Sequence, residues 1–145
     1  MNAPGVRALG VDPGTKRIGL AVSDLSGTIA SPLLVLQRSK SLRHDLSELA
    51  RIARAEEAEV IVVGLPINMD GSLGPAAKAA TEFARRLATV AGVPVELHDE
   101  RRTTVTADEA MREGGLDGRA RRARVDKVAA AVMLQSWLEA RRSRR

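Results

Sequence analysis

The sequence predicts an α/β domain whose sheet mixes an antiparallel hairpin with parallel strands. Three observations carry this reading. Apolar runs of strand length recur at 6–12, 17–24, 59–66 and 93–100. Amphipathic stripes of helical period separate the later runs, and an AspProGly turn joins the first two. At 145 residues the chain has the length of one domain that can bury most of its apolar surface, so no boundary is expected within 1–145.

Residues 6–12 read as a central strand, and ArgIleGlyLeuAlaValSerAsp (17–24) returns antiparallel to it after the AspProGly turn. Ser26 and Gly27 mark a second turn. The segment 28–37 is then a third strand, which Pro32 assigns to an edge. Ser41 is an N-cap, and Leu42, Leu46, Leu49 and Ala53 form the buried stripe of a helix ending near Glu56.

GluValIleValValGlyLeuPro (59–66) is a buried strand of the parallel type. Pro75 suits a first helical position, and Ala80, Phe83, Ala84, Leu87, Val90 and Ala91 continue that helix until Gly92 and Pro94 stop it. A strand follows over 93–100. Thr106 and Glu109 form a capping box for a helix that stops at Gly114-Gly115. A Gly- and Arg-rich loop over 114–124 then leads to a last helix over about 125–142. The order βββαβαβαα is that of the ribonuclease H-like arrangement, with helices on both faces of the sheet.

Composition narrows the chemistry. The chain has no cysteine, which excludes disulfides, thiolate zinc ligands and thiol catalysis and fits a reducing cytosol. The N-terminus has no apolar core of a signal peptide, and no apolar run approaches the ~18 residues of a membrane span. A cytoplasmic protein with no membrane partner is therefore expected. The only histidines, His44 and His98, show no ligand spacing, so zinc is not expected; His44 reads as a helix-face residue, and His98 is a minor candidate.

Net charge is +5, and its distribution is uneven. Residues 1–100 hold 11 Lys+Arg against 12 Asp+Glu, whereas 101–145 hold 12 against 6. The basic excess gathers at Arg119, Arg121, Arg122, Arg124 and Lys127, and again in the tail at Arg141, Arg142, Arg144 and Arg145. Such clusters attract a polyphosphate backbone and make binding salt-dependent. Phe83 and Trp137 are the only aromatic residues, too few for a stacking platform that reads unpaired bases along a strand. Nucleic acid is therefore expected to be gripped by backbone and shape.

Three carboxylates stand at positions where the fold can gather them. Asp12 ends the first strand, Glu100 ends the fourth apolar run, and Asp126 opens the last helix, where the dipole favours it. In the 93–100 strand, alternation puts Val93, Val95, Leu97 and Asp99 on one face and Glu96, His98 and Glu100 on the other. This prefers Glu100 as a ligand and leaves Asp99 a structural hydrogen-bonding role. Hard divalent cations take oxygen ligands and assist phosphodiester hydrolysis, and strand ends along one edge of a parallel sheet are a usual ligand position. Ala129, Ala130 and Ala131 would let the last helix lie close to the sheet. Gly14 and Gly19 offer close backbone approach to a ligand.

Four stretches together resemble the YqgF family, also called RuvX, which is related to the RuvC Holliday junction resolvases. They are AspProGlyThrLysArgIleGlyLeuAlaValSerAsp (12–24), ValGlyLeuProIleAsnMetAspGlySerLeuGlyPro (63–75), AspGluArgArgThrThr (99–104) and ValAspLysValAlaAla (125–130). The resemblance implies a nuclease dependent on Mg²⁺ or Mn²⁺, with Asp12, Glu100 and Asp126 as its catalytic and metal-binding site. It further implies a role in maturing the 5′ end of pre-16S ribosomal RNA, or a junction-resolving activity on DNA. Arg102 stands where the family pattern has an aliphatic residue, and Ala129 and Ala130 stand where RuvC-type enzymes carry a further acid.

Lys16, Arg17, Asn68 and Arg101 join Arg119, Arg121, Arg122, Arg124 and Lys127 as expected nucleic-acid contacts. Structured RNA or branched DNA, ribosomal precursor particles and a monomer or homodimer are the expected partners and assembly. Two other readings compete. AspProGlyThrLysArgIleGly (12–19) also resembles the first phosphate loop of the actin, hexokinase and sugar-kinase superfamily, which would make the chain a nucleotide-binding module. The basic last third alone would suit a non-catalytic RNA- or ribosome-binding protein.

Overall fold

The computed structural model describes residues 5–100 and 118–143, with side chains from Arg124 onward in the last helix. The elements are β1 (Ala8–Pro13), β2 (Arg17–Ser23), β3 (Ala30–Gln37), α1 (Leu42–Ala55), β4 (Val60–Leu65), α2 (Pro75–Ala88), β5 (Val95–Asp99) and α3 (Gly118–Ser143). The sheet order is β3-β2-β1-β4-β5. β1 and β2 pair antiparallel, as do β2 and β3, whereas β1–β4 and β4–β5 are parallel. This is the predicted mixed sheet, and the two parallel additions each follow a helical crossover.

Local sequence explains each helix start. Ser41 caps α1, its hydroxyl accepting from the His44 N–H at 3.2 Å. Asp45, one turn further in, is buried at 2% exposure and takes the Ser39 N–H on its carboxylate at 3.0 Å. Pro75 opens α2 after Gly74. The predicted stripe to Ala91 overruns the helix, which stops at Ala88. Thr89 caps it, and a turn to Gly92, whose φ is +76°, still buries Ala91.

Two cores lie on opposite faces of the sheet. On one, Leu9, Val11, Ile18, Leu20, Ile61 and Val63 pack against α1 and α2 through Leu46, Leu49, Phe83 and Leu87. On the other, Ala8, Ala21, Val60 and Val62 pack under α3 through Ala130, Met133, Leu134, Trp137 and Leu138. Strand alternation divides β1 and β4 between the two faces, as a sheet covered on both sides requires. Pro32 does lie in an edge strand, β3, and the β2–β3 register shifts beside its partner, between Leu20 and Ala21.

The last helix departs from expectation. Its start at about 125, after an Arg-rich loop over 114–124, is overturned: α3 begins at Gly118. Arg and Ala are both strong helix formers, so ArgAlaArgArgAlaArg (119–124) extends the helix upstream despite its charge. The helix expected from the Thr106–Glu109 capping box lies outside the described residues.

Candidate active site

The C-terminal ends of β1, β3, β4 and β5 and the start of β2 share one edge of the sheet. Asp12 sits there in β1, directly opposite Gly19 of β2. Glu100 immediately follows β5, and its N–H donates to the Leu65 carbonyl at 3.2 Å, which fixes it beside the end of β4. The predicted parity holds. His98 and Glu96, two and four residues earlier, meet Ser136 and Trp137 of α3, so the 96, 98, 100 series faces α3.

Asp126 is delivered by α3, but not from its first turn. It is the ninth residue of the helix, so the expected help from the helix dipole does not apply. Its position is set instead by how closely α3 lies on the sheet. A Cβ added at Gly19 would fall 2.1 Å from the Asp126 carbonyl oxygen, and one at Gly10 would fall 3.0 Å from Leu134 Cβ. A Cβ at Gly64 would lie 1.9 Å from Glu100 Oε2. Glycines at 10, 19 and 64 are therefore the sheet-side condition for the site, complementing Ala130 and Ala131 on the helix. Gly19 is filled by α3 rather than left for a ligand, which corrects the expectation for that residue. Gly14 makes the tight β1–β2 turn, its N–H donating to the Arg17 carbonyl at 2.9 Å.

The electrostatics link the three acids. Burial, and then the Asp126 charge, push the Asp12 carboxyl up to about 6. Burial, and then the charges of Asp12 and Asp99, push Glu100 up to about 8. Asp12 is thus the middle member, interacting with Asp126 on one side and Glu100 on the other. Arg17 engages the far end, its Nε donating to Asp126 Oδ2 at 2.5 Å in a half-buried ion pair. Among the described residues no three acidic or histidine side chains are already drawn into a closed cation cage. The arrangement is a row of carboxylates with a guanidinium at one end.

The other expected contacts distribute around this row. Lys16 is exposed in the β1–β2 turn, and Arg124 and Lys127 flank Asp126 on α3, exposed and half-buried respectively. Asn68 is exposed in the β4–α2 loop, where its Nδ2 donates to Ser72 Oγ at 3.0 Å. The backbone of α3 carries Arg119, Arg121 and Arg122 in the two turns before Asp126. Arg101 lies outside the described residues. His44 is exposed on α1, and His98 is bound to Ser136 at 2.9 Å.

Sequence reasoning missed the contributions of Gly10 and Gly64, and assigned Arg17 to nucleic acid alone. The glycines had a signal: a glycine inside an otherwise apolar strand marks close approach of another backbone or group. The Arg17–Asp126 pair, 109 residues apart, had none.

A family model described as "RuvX: Holliday junction resolvase" matches residues 6–140. A protein of Gluconobacter oxydans named "putative pre-16S rRNA nuclease" is 46% identical over 139 residues, covering 95% of this chain and 86% of that protein. A protein of the same name from Anaeromyxobacter sp. strain K is 48% identical over 137 residues, covering 94% and 98%. Among solved structures, Thermus thermophilus RuvC in complex with a Holliday junction substrate superposes with a TM-score of 0.59 at 22% identity, covering 93% of this chain and 95% of that one. That likeness supports the ribonuclease H-like fold.

Proposed function

Because the chain belongs to the RuvX family, we propose that it is a divalent-metal-dependent nuclease that hydrolyses phosphodiester bonds in the precursor of 16S ribosomal RNA, at its 5′ end. The observation that supports this reading is that Asp12 lies at one end of the sheet near enough to both Asp126 and Glu100 to feel their charges. The relatives of nearly equal length named for pre-16S rRNA support the substrate class.

The residues fit a hard cation. All three donors are carboxylate oxygens, and the burial and then the mutual repulsion that raise Asp12 and Glu100 are offset when a dication neutralises them. Asp12, Glu100 and Asp126 would hold Mg²⁺ or Mn²⁺, which when bound supplies a Lewis acid for the phosphoryl oxygens and a more acidic water. Arg17 neutralises Asp126 and lies close enough to the row to meet a substrate phosphate. Arg124 and Lys127 set the strand along α3, and burial of the carboxylates restricts bulk water around the reacting bond.

The family description favours a second substrate, the four-way DNA junction, for which a two-fold dimer would place two sites symmetrically. The test compares cleavage of labelled pre-16S RNA and of a four-way junction, with Mg²⁺ or Mn²⁺ and with chelator, by wild type and Asp12→Asn. The expected outcome is metal-dependent cutting of the RNA that Asp12→Asn reduces at least ~10³-fold while binding survives. Asp12→Asn cutting as fast as wild type would sink the site. Cutting of the junction alone would transfer the reading to DNA, and cutting of neither would favour a non-catalytic RNA-binding protein.

A further inference from the structure

The strand that carries Asp12 also borders a two-compartment cleft on the opposite, α1/α2 side of the same edge. The first compartment, about 590 Å³, is lined by Lys16 of the β1–β2 turn and by Arg38 and Lys40 after β3, with the hydroxyls of Thr15 and Ser39. Asp45 is its one acid, but that carboxylate is buried at 2% exposure and receives the Ser39 N–H on both oxygens. The compartment therefore presents three cations to an entering group. The second compartment, about 400 Å³, is apolar, with walls of Pro13, Pro66, Ala76, Ala79 and Phe83, and with Glu82 at its rim.

Arg38 lines both, together with Thr15 and Leu42. Its Nη1 donates to the Gly14 carbonyl at 2.8 Å, and its guanidinium carbon lies 5.5 Å from the Phe83 ring centroid. Its N–H also donates to the Lys16 carbonyl at 2.9 Å, which ties the end of β3 to the β1–β2 turn. A guanidinium held this way offers an edge to a phosphate and a plane to a base. The two compartments differ in charge as a nucleotide does. The basic one suits a phosphodiester, whereas the apolar one, where the Glu82 carboxylate is paired with Arg85, suits an uncharged base.

We propose that this cleft seats one unpaired nucleotide of the substrate strand, its phosphate against Lys16, Arg38 and Lys40 and its base between Arg38 and the alanine face of α2. The ligand class rests on the proposed action on nucleic acid. It refines that action to a structured substrate with a single-stranded extension. β3 and β1 are two strand spacings of about 4.8 Å apart, so the cleft lies on the order of 10 Å from Asp12, within reach of a few nucleotides passing over the β1–β2 turn.

The experiment measures binding of a fluorescent RNA hairpin with an unpaired 5′ extension, and of the same hairpin blunt, to full-length Asp12→Asn protein, which leaves the RNA whole. Two further changes are added to it one at a time, each at an exposed position. Lys40→Glu reverses one cation, and Ala79→Leu fills the apolar compartment; Ala76→Leu fills it from the preceding turn should Ala79→Leu not fold. Each is expected to weaken the extended hairpin about tenfold, with Ala79→Leu leaving the blunt hairpin unchanged and Lys40→Glu lowering the salt slope by about 1.

Folded variants that bind the extended hairpin like their parent overturn the proposal. So does a nucleoside monophosphate that binds tightly while the extension adds nothing, since the ligand is then a free nucleotide. The readout is independent of cleavage. If wild type cuts nothing and these differences persist, the cleft stands and the nuclease reading falls. If cutting needs Asp12 and the variants bind normally, the reverse holds.

Discussion

The two faces of the sheet carry different kinds of residue. Toward α1 and α2 the strands present Leu9, Val11, Ile18, Leu20, Ile61 and Val63, and large side chains fill the gap to the helices. Toward α3 they present Ala8, Gly10, Gly19, Val62 and Gly64, so that the helix nearly touches the strand backbone. The first face stores stability in buried area. The second gives up that area near the edge to bring three carboxylates together, and the raised values of Asp12 and Glu100 record the cost of doing so.

The sharpest way to break this contrast is at Gly19. A methyl there meets the Asp126 backbone, which cannot swing aside as a side chain can, so Gly19→Ala should displace α3. We expect a loss of at least about 3 kcal/mol in denaturant unfolding, together with loss of cleavage. Wild-type stability in Gly19→Ala would show that α3 does not lie on the sheet this closely.

Leu49→Ala on α1 probes the other face. Leu49 is fully buried, and its truncation should cost about 2–5 kcal/mol by urea unfolding. Well below the melting temperature, its cleavage rate should match wild type within about twofold. A large rate loss in folded Leu49→Ala protein would mean that the faces are coupled rather than divided in labour.

Glu100→Gln sharpens the comparison by the opposite sign. Glu100 ionises near 8 when folded but near its ordinary value of 4.5 when unfolded. The unfolded chain therefore binds fewer protons between those values, and the metal-free protein loses stability as pH rises from about 4.5 to 8. Glu100→Gln removes that loss. It should be more stable than wild type by about 1–2 kcal/mol at pH 8 and nearly equal at pH 4.5, as read by thermal melts in chelator. Mn²⁺ should stabilise wild type more at pH 8 than at pH 5, and Glu100→Gln less at either. A Glu100→Gln protein less stable at pH 8 would show that the carboxylate is satisfied without a cation.

Much of this architecture could be read before any coordinates. Period-2 and period-3.6 patterns placed seven of the described elements to within a few residues, and parity put Glu100 on the side that proved to face α3. The errors lie at helix ends. An Arg-rich stretch looks solvated and loop-like, yet Arg and Ala prefer helix, so α3 starts at Gly118 rather than at about 125. Val90 and Ala91 continue the apolar stripe of α2, but burial of Ala91 is achieved by a turn after the helix has ended.

The position of each strand along the chain, the β1–β2 hairpin and the face of Glu100 were determined by the sequence alone, because apolar runs, turn residues and alternation are local, whereas the sheet order β3-β2-β1-β4-β5 was not. The meeting of Asp12 with Asp126, and the capture of Asp126 by Arg17, were decided by the tertiary structure. Those contacts join residues more than 100 positions apart, and they exist because Gly10 and Gly19 let α3 settle onto the backbone of the sheet.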